Sequence, residues 1–201
     1  MLNTSSINKA IFLACQQEVS APKPGNVNCY GEAHRMSVQD FLKSAQAIAP
    51  ILSQKNLSVG SMILKSVIAT RKVVNCNTNL GIILLFAPLC KAIRGCNTSA
   101  QLPESLRHLL NNLTLDDTKN AYKGIRLAQA GGLGNSKLHD INNEPTVTLR
   151  HAMEYAKDKD SIAAQYLNNY HDILGLGLTS LTSSINCGES IEWASAFAYL
   201  N

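Results

Sequence analysis

An all-α fold is predicted: a single globular bundle of roughly eight helices around a buried central helix. Three observations predict it. Apolar residues recur at helical spacing along most of the chain. Residues 80–93 are apolar nearly all round, as a helix enclosed on every side must be. Strand patterning is weak, since only Pro145-Thr146-Val147-Thr148-Leu149 alternates, and briefly.

Ile7, Ala10, Ile11, Ala14 and Cys15 fall on one face of a first helix. It must stop by Ala21-Pro22-Lys23-Pro24-Gly25, because proline disfavours a helical conformation in the residue before it. A second helix starts near Ser37, with Asp40 three residues on, which resembles a capping box. Its apolar stripe is Val38, Phe41, Leu42, Ala45, Ile48, Ala49 and Leu52. A third runs from about Val59, with Met62, Ile63, Val67 and Val73 inward. The central helix follows, and Pro88 should kink it or mark its early turn. Further helices are expected over 103–113, 116–130, after Thr148, over 162–170 and from about Glu189. The last pattern has no stop signal, as at a natural C-terminus or in a truncated chain.

Composition narrows the function. The 201 residues fit one domain, taken as 1–201, since domains run about 100–200 residues. Apolar residues at 45% against 16% charged support a buried core and exclude a disordered chain. Aromatics at 5% argue against stacking on single strands, and a diffuse net charge of +4 suits an anionic small molecule better than a duplex. No nucleic-acid partner is therefore expected. Met1 to Ser6 carries no basic region before an apolar stretch, and no run approaches the ~20 residues of a membrane span. Cys15, Cys29, Cys76, Cys90, Cys96 and Cys187 form no C-x-x-C pair and read as reduced thiols of a cytoplasmic protein, with no structural zinc.

Four constellations could carry chemistry. In Glu18-x4-Lys23-Pro24-Gly25-Asn26-Val27 the prolines stiffen a turn, Gly25 permits positive φ, and Lys23 is a fixed charge suited to phosphate; the plainer reading is a solvated loop lysine. In Gly31-Glu32-Ala33-His34-Arg35-Met36, His34 and Arg35 precede a helix N-terminus that could bind an anion, although a lone histidine is more often structural. Asn75-Cys76-Asn77-Thr78-Asn79-Leu80-Gly81 sets short polar side chains at the mouth of the apolar helix, where capping needs only one; the others could orient a sugar, a base edge or metal-bound water. Gly131-Gly132-Leu133-Gly134, followed by His139-Asp140, is neither a dinucleotide fingerprint nor a P-loop. It reads as a helix C-cap with more glycine than a cap requires, able to form an N–H nest. Asp116-Asp117 could simply complement a helix dipole, and Asp158 and Asp160 a solvated helix end.

Taken together these stretches resemble the triphosphoribosyl-dephospho-CoA synthases, the ATP:dephospho-CoA triphosphoribosyltransferases. The matching blocks are Glu18 through Val27 to His34-Arg35-Met36 and Phe41…Ser44-Ala45; Asn77-Thr78-Asn79-Leu80-Gly81-Ile82-Ile83-Leu84-Leu85; Gly131-Gly132-Leu133-Gly134 with His139-Asp140 and Pro145 to Leu149; and Asp160-Ser161-Ile162-Ala163…Gln165-Tyr166. The nearest branch looks like the archaeal and one-carbon-metabolism members. Members linked to citrate and malonate decarboxylases read G-x-H-x-D-M and T-N-T-H-K-G, where this chain has His34-Arg35-Met36 and Asn79-Leu80-Gly81. The family usually continues into an Asp-Ser…Arg-Lys-x-Gly segment that this sequence lacks, so either the chain is cut short at its C-terminus or the segment has been lost.

The resemblance implies glycosyl transfer. The ribose 2′-hydroxyl of 3′-dephospho-CoA, or of a related acceptor, attacks C1′ of the ATP ribose; adenine leaves and the triphosphate stays on the transferred sugar. A carboxylate near C1′ would stabilise an oxocarbenium-like transition state, a base would take the hydroxyl proton, and Mg²⁺ with Lys or N–H groups would hold the triphosphate. On this basis Lys23, Gly25 and the Gly131, Gly132, Gly134 turn are expected to bind phosphates; Glu18, Asp140 and Asp117 to supply metal or C1′ carboxylates; Asn77, Thr78, Asn79 and Gly81 to orient substrate; and His34 or His139 to serve as acid or base. ATP, dephospho-CoA and Mg²⁺ are the implied small molecules, and a homodimer stays open. The alternative is a non-catalytic helical nucleotide- or partner-binding protein that has lost the family's C-terminal segment.

Overall fold

The computed structural model describes residues 2–28, 36–129 and 138–201. Among them the elements are α1 (Thr4–Ser20), α2 (Val38–Leu52), α3 (Val59–Val73), α4 (Leu80–Ala92), α5 (Leu102–Asn111), α6 (Leu115–Ala128), α7 (Leu149–Glu154), α8 (Ser161–Asn168), α9 (Leu178–Asn186) and α10 (Ile191–Leu200), with no strand. No single helix among the described residues is long and apolar enough to cross a membrane.

Short polar side chains start most of these helices. Asn3, Ser58, Asp160 and Ser190 each accept a backbone N–H in the first turn of α1, α3, α8 and α10. Ser37 and Asp40 form the expected reciprocal box at α2, and Thr114 and Asp117 form another at α6. The predicted stripes turn inward: Ile7, Ile11, Cys15 and Val19 on α1; Ala45, Ile48, Ala49 and Leu52 on α2; Met62, Ile63 and Val67 on α3. Ala10 and Val73 are exposed instead, Val73 because it is the last residue of α3 and lies beyond the neighbours that cover the stripe.

No residue of α4 is exposed, and Ile83 and Ala87 are sealed completely. Pro88 lies well inside this helix rather than in its early turn. Proline has no N–H, so the Leu84 carbonyl loses its intrahelical donor. The buried Tyr166 hydroxyl of α8 replaces it, donating to Leu84 O at 2.8 Å, and Tyr170 donates to Leu85 O at 3.1 Å. Tyr166 thus replaces the donor that Pro88 removes, and Tyr170 adds a bond to the next carbonyl along the helix.

Helix α3 packs against α6, α2 and α4. A Cβ built on Gly60 would lie 2.3 Å from the Asp117 carbonyl oxygen, so α3 and α6 touch backbone to backbone near their starts. Val67 and Thr70 of α3 share a cavity wall with Ala128 of α6 near their ends, so the two helices run side by side in one direction. Ser44 of α2 bonds Thr78, just before α4. One end of the bundle therefore gathers the N-termini of α2 and α4 with the C-termini of α3 and α6.

One helical stretch has no counterpart in the sequence expectation: a wide turn over Asp172–Gly177 leading into α9. Helix α9 buries none of its residues, and Gly175, Gly177 and a run of Ser and Thr obscure its period. The alternation at 145–149 yields no strand; Thr148 caps α7 and Leu149 is its buried first residue.

Candidate functional site

The Asn77–Gly81 block sits at the gathered end, and most of its polar atoms are accounted for. Asn77 Oδ1 accepts the Leu80 N–H at 3.2 Å, holding the turn that opens α4. Ser44 donates to the Asp40 carbonyl at 2.7 Å, so the 2.6 Å contact with buried Thr78 runs from the Thr78 hydroxyl to Ser44 Oγ. Asn79 is 5% exposed; its Oδ1 accepts from Thr70 at 3.1 Å, while its Nδ2 has no partner. A cavity of about 10 Å³ lies here, lined by Val67, Thr70, Arg71, Cys76, Asn77, Asn79, Leu80 and Ala128. Gly81 has Ile162 Cδ1 at 3.0 Å from a hypothetical Cβ, so it is small to admit α8. Burial, then the Asp40 charge, push the Cys76 thiol up, and Arg71 opposes them, which sets both ions close to this turn.

Helix α6 ends at this cavity, in a left-handed Gln129 (φ 51°). Gly131, Gly132 and Gly134 follow it and lie outside the described residues, as does His34, upstream of α2. The chain returns at Leu138 and is fastened to α6: Tyr122 donates to the His139 carbonyl at 2.7 Å, and Arg126 donates to the Ile141 carbonyl. Asp140 is 8% exposed, and its Oδ1 accepts the Asn142 N–H at 2.8 Å. Burial and the Asp140 carboxylate push the Tyr122 phenol up, which puts that carboxylate beside α6. His139 takes a left-handed backbone (φ 52°) and turns its ring to Tyr155, 4.6 Å away, and to His151, 5.9 Å away.

A second group forms at the end of α1. Lys23 is 7% exposed; its Nζ donates to the Glu18 carbonyl at 2.8 Å and pairs with Glu18 Oε1. The expected free cation for phosphate is thus already matched, because the last turn of α1 offers an unpaired carbonyl and a carboxylate together. Pro24 and Gly25 occupy the centre of a turn closed by Asn26 N–H to Lys23 O at 3.3 Å, and Gly25 has φ +80° with open space around it. This is the conformation glycine allows after proline. An open groove of about 520 Å³ runs along the turn, with Trp193 of α10 as its far wall.

Asp117 stands apart from both groups. Oδ2 accepts from Thr114 N–H and hydroxyl at 3.0 and 2.8 Å, and Oδ1 accepts the Gly60 N–H at 2.8 Å. It caps two helices at once, eleven residues from Ala128, or ~16 Å along α6 at 1.5 Å per residue. Burial raises its pKa, but the hydrogen bonds from Thr114, Gly60 and Ser58 outweigh this and hold the carboxyl below its ordinary range. Asp117, expected as a metal ligand, thus has both oxygens engaged in capping, a role that the signature T-x-x-D before an apolar stripe announces. Given no site role in the sequence expectation are Ser44, which it names only within a matching block, and Thr70, Arg71, Tyr122 and Arg126. Ser44 and Thr70 were detectable as polar residues at buried positions of their helical stripes.

Among the described residues the body is all-helical, with no strand and with polar turns gathered at one end, and such a fold does not by itself name a reaction. The chain belongs to the CitG family: the family model described as ATP:dephospho-CoA triphosphoribosyl transferase matches residues 4–201. It is an enzyme family, and membership implies triphosphoribosyl transfer from ATP to dephospho-CoA. Searches of curated proteins and of solved structures give no match.

Proposed function

We propose that this chain transfers the 5-triphosphoribosyl group of ATP to the ribose 2′-hydroxyl of 3′-dephospho-CoA, releasing adenine. The observation that carries this is the family match over residues 4–201, which takes in every polar turn described above. In the reaction a bond forms from the acceptor oxygen to C1′, the C1′–N9 bond breaks, its electron pair leaves with adenine, and adenine takes up a proton.

We assign one of two carboxylates, Asp140 or Glu18, to the charge that develops at C1′. Asp140 is buried and fastened to α6, and Glu18 is oriented by Lys23. A fixed carboxylate stabilises such charge without reorganising. His139, with its ring at the edge of Tyr155, is the acid–base group among the described residues, and His34 remains in the proposal by resemblance. No three His, Cys, Asp or Glu side chains among the described residues gather as a metal cage. Mg²⁺ on a nucleotide needs only one or two protein carboxylates, the phosphates supplying other oxygens, so the residues fit an ion that enters with ATP and shares Asp140. That ion would neutralise the triphosphate. We place the protein in the cytoplasm on the unpaired cysteines among the described residues.

The test is adenine release from Mg·ATP with dephospho-CoA present, together with the mass gain of the acceptor. Release with a triphosphoribosyl mass gain is expected, and Asp140→Asn should cut it about 100-fold or more. ATP binding without adenine release would overturn the proposal in favour of a non-catalytic nucleotide-binding protein. The Asn79-Leu80-Gly81 stretch, which lacks the histidine and lysine of the decarboxylase-linked members, favours a second reading with a different acceptor from one-carbon metabolism. Adenine release only with such an acceptor would establish it.

A further inference from the structure

The cavity at the start of α4 has an uneven supply of hydrogen-bonding groups. Asn79 Oδ1 is taken by Thr70, and Asn77 Oδ1 by the Leu80 N–H. Beside the Thr70 hydroxyl and the Cys76 thiol, two donors remain: Asn79 Nδ2, enclosed and without a partner, and the Arg71 guanidinium, which has given one N–H to the Asn75 carbonyl at 3.2 Å. A buried amide N–H left unmade costs about 1–3 kcal/mol, so a group supplying an acceptor is favoured there. Among the described residues no carboxylate lines the cavity, which removes the ligands a cation would need from them. The 13-residue helix α4 begins here and adds the positive end of its dipole, against which stand the negative ends of α3 and α6, so the preference for an anion rests on the Asn79 and Arg71 donors. Asp40, the acid nearest by its effect on Cys76, is engaged by the Ser37 N–H and hydroxyl at 2.9 Å each. The volume, about 10 Å³, admits one water-sized group, such as a single oxygen, rather than a whole anion.

We infer that this cavity is an oxyanion socket for one terminal oxygen of a polyphosphate, with Asn79 Nδ2 as the buried donor and Arg71 as the countercharge at its mouth. Arg71 thereby becomes a substrate-binding residue, and Asn79 binds phosphate rather than sugar. Identifying the polyphosphate as the tail of ATP rests on the transferase reading; the preference for an anion does not.

The probe is inorganic tripolyphosphate, titrated calorimetrically into the full chain at low ionic strength, with orthophosphate and adenosine as separate arms. Tripolyphosphate should bind the unaltered protein, and Arg71→Gln and Asn79→Asp should each weaken it at least 10-fold, while adenosine binding stays the same. Arg71 is partly exposed, so its variant keeps the fold; circular dichroism and the melting temperature check Asn79→Asp, which sits in the core. Tripolyphosphate affinity unchanged in Arg71→Gln, or no binding to the unaltered chain, would overturn the inference. Orthophosphate binding as tightly as tripolyphosphate would overturn the polyphosphate assignment. Should adenine release proceed with an unaltered KM for ATP in both variants, the socket fails and the transferase stands. Should both variants lose tripolyphosphate while no acceptor ever yields adenine, the socket stands and the transferase fails.

Discussion

Asp117 shows how a single carboxyl group can join elements distant in sequence. It serves the N-terminus of α6 through Thr114 and that of α3 through the Gly60 N–H, with both oxygens engaged. Its lowered pKa sets the sign of an acid effect. A carboxyl more acidic in the folded than in the unfolded state contributes stability above the unfolded value, ~3.9, which is lost as the pH falls through the folded value. Urea midpoints measured from pH 6 down to pH 2 should therefore fall less steeply for Asp117→Asn than for the unaltered chain. At pH 7, Asp117→Ala should cost about 2–4 kcal/mol, one cap plus the buried donors left behind. Lys23 makes a similar point by its local pairing: the end of α1 supplies both its acceptors, so its charge orients Glu18 before it meets any ligand.

Among the elements, α4 and the α3–α6 pair dictate how tightly the bundle closes. Tyr166 satisfies the carbonyl that Pro88 leaves open on α4. Tyr166→Phe should cost about 1–3 kcal/mol by denaturant titration, and appreciably less when Pro88→Ala restores a helical N–H to Leu84. A double-mutant cycle with no coupling would refute that account. At the α3–α6 crossing the limit is steric. An alanine Cβ at position 60 would meet backbone atoms of Asp117 at 2.3 and 2.5 Å, and backbone cannot rotate away as a side chain can. Gly60→Ala should force the helices apart, lowering stability by about 3 kcal/mol, readable as a lower melting temperature. Because α6 also carries Tyr122 and Arg126, the same shift should displace the Asp140 turn and reduce adenine release.

Across the whole molecule, one continuous core joins α1 to α8, while α9 stays on the surface. Thiols report on that division. Burial pushes Cys15 and Cys90 up to about 12, whereas Cys187 is exposed. Iodoacetamide at pH 8 should label Cys187 within minutes and reach Cys15 and Cys90 only on unfolding; prompt labelling of all three would contradict the packing. Much of this arrangement was legible beforehand. The stripes of α1 to α3, the enclosure of α4, the Ser37–Asp40 box and the Gly25 turn follow from spacing, because a helix must bury one face and a turn must accept its backbone angles. Helix α9 escaped because its period is diluted by serine and threonine and nothing buries it. By itself the sequence determined an all-helical chain with polar turns at particular helix ends, and the family likeness of those turns. Only the tertiary structure decided which turns share an end, that Lys23 and Asp117 are already engaged, and that Arg71 and Asn79 line one cavity. Helical periodicity specifies the face that is buried but not the neighbour that buries it, and hydrogen-bond partners far apart along the chain meet only once the helices have packed.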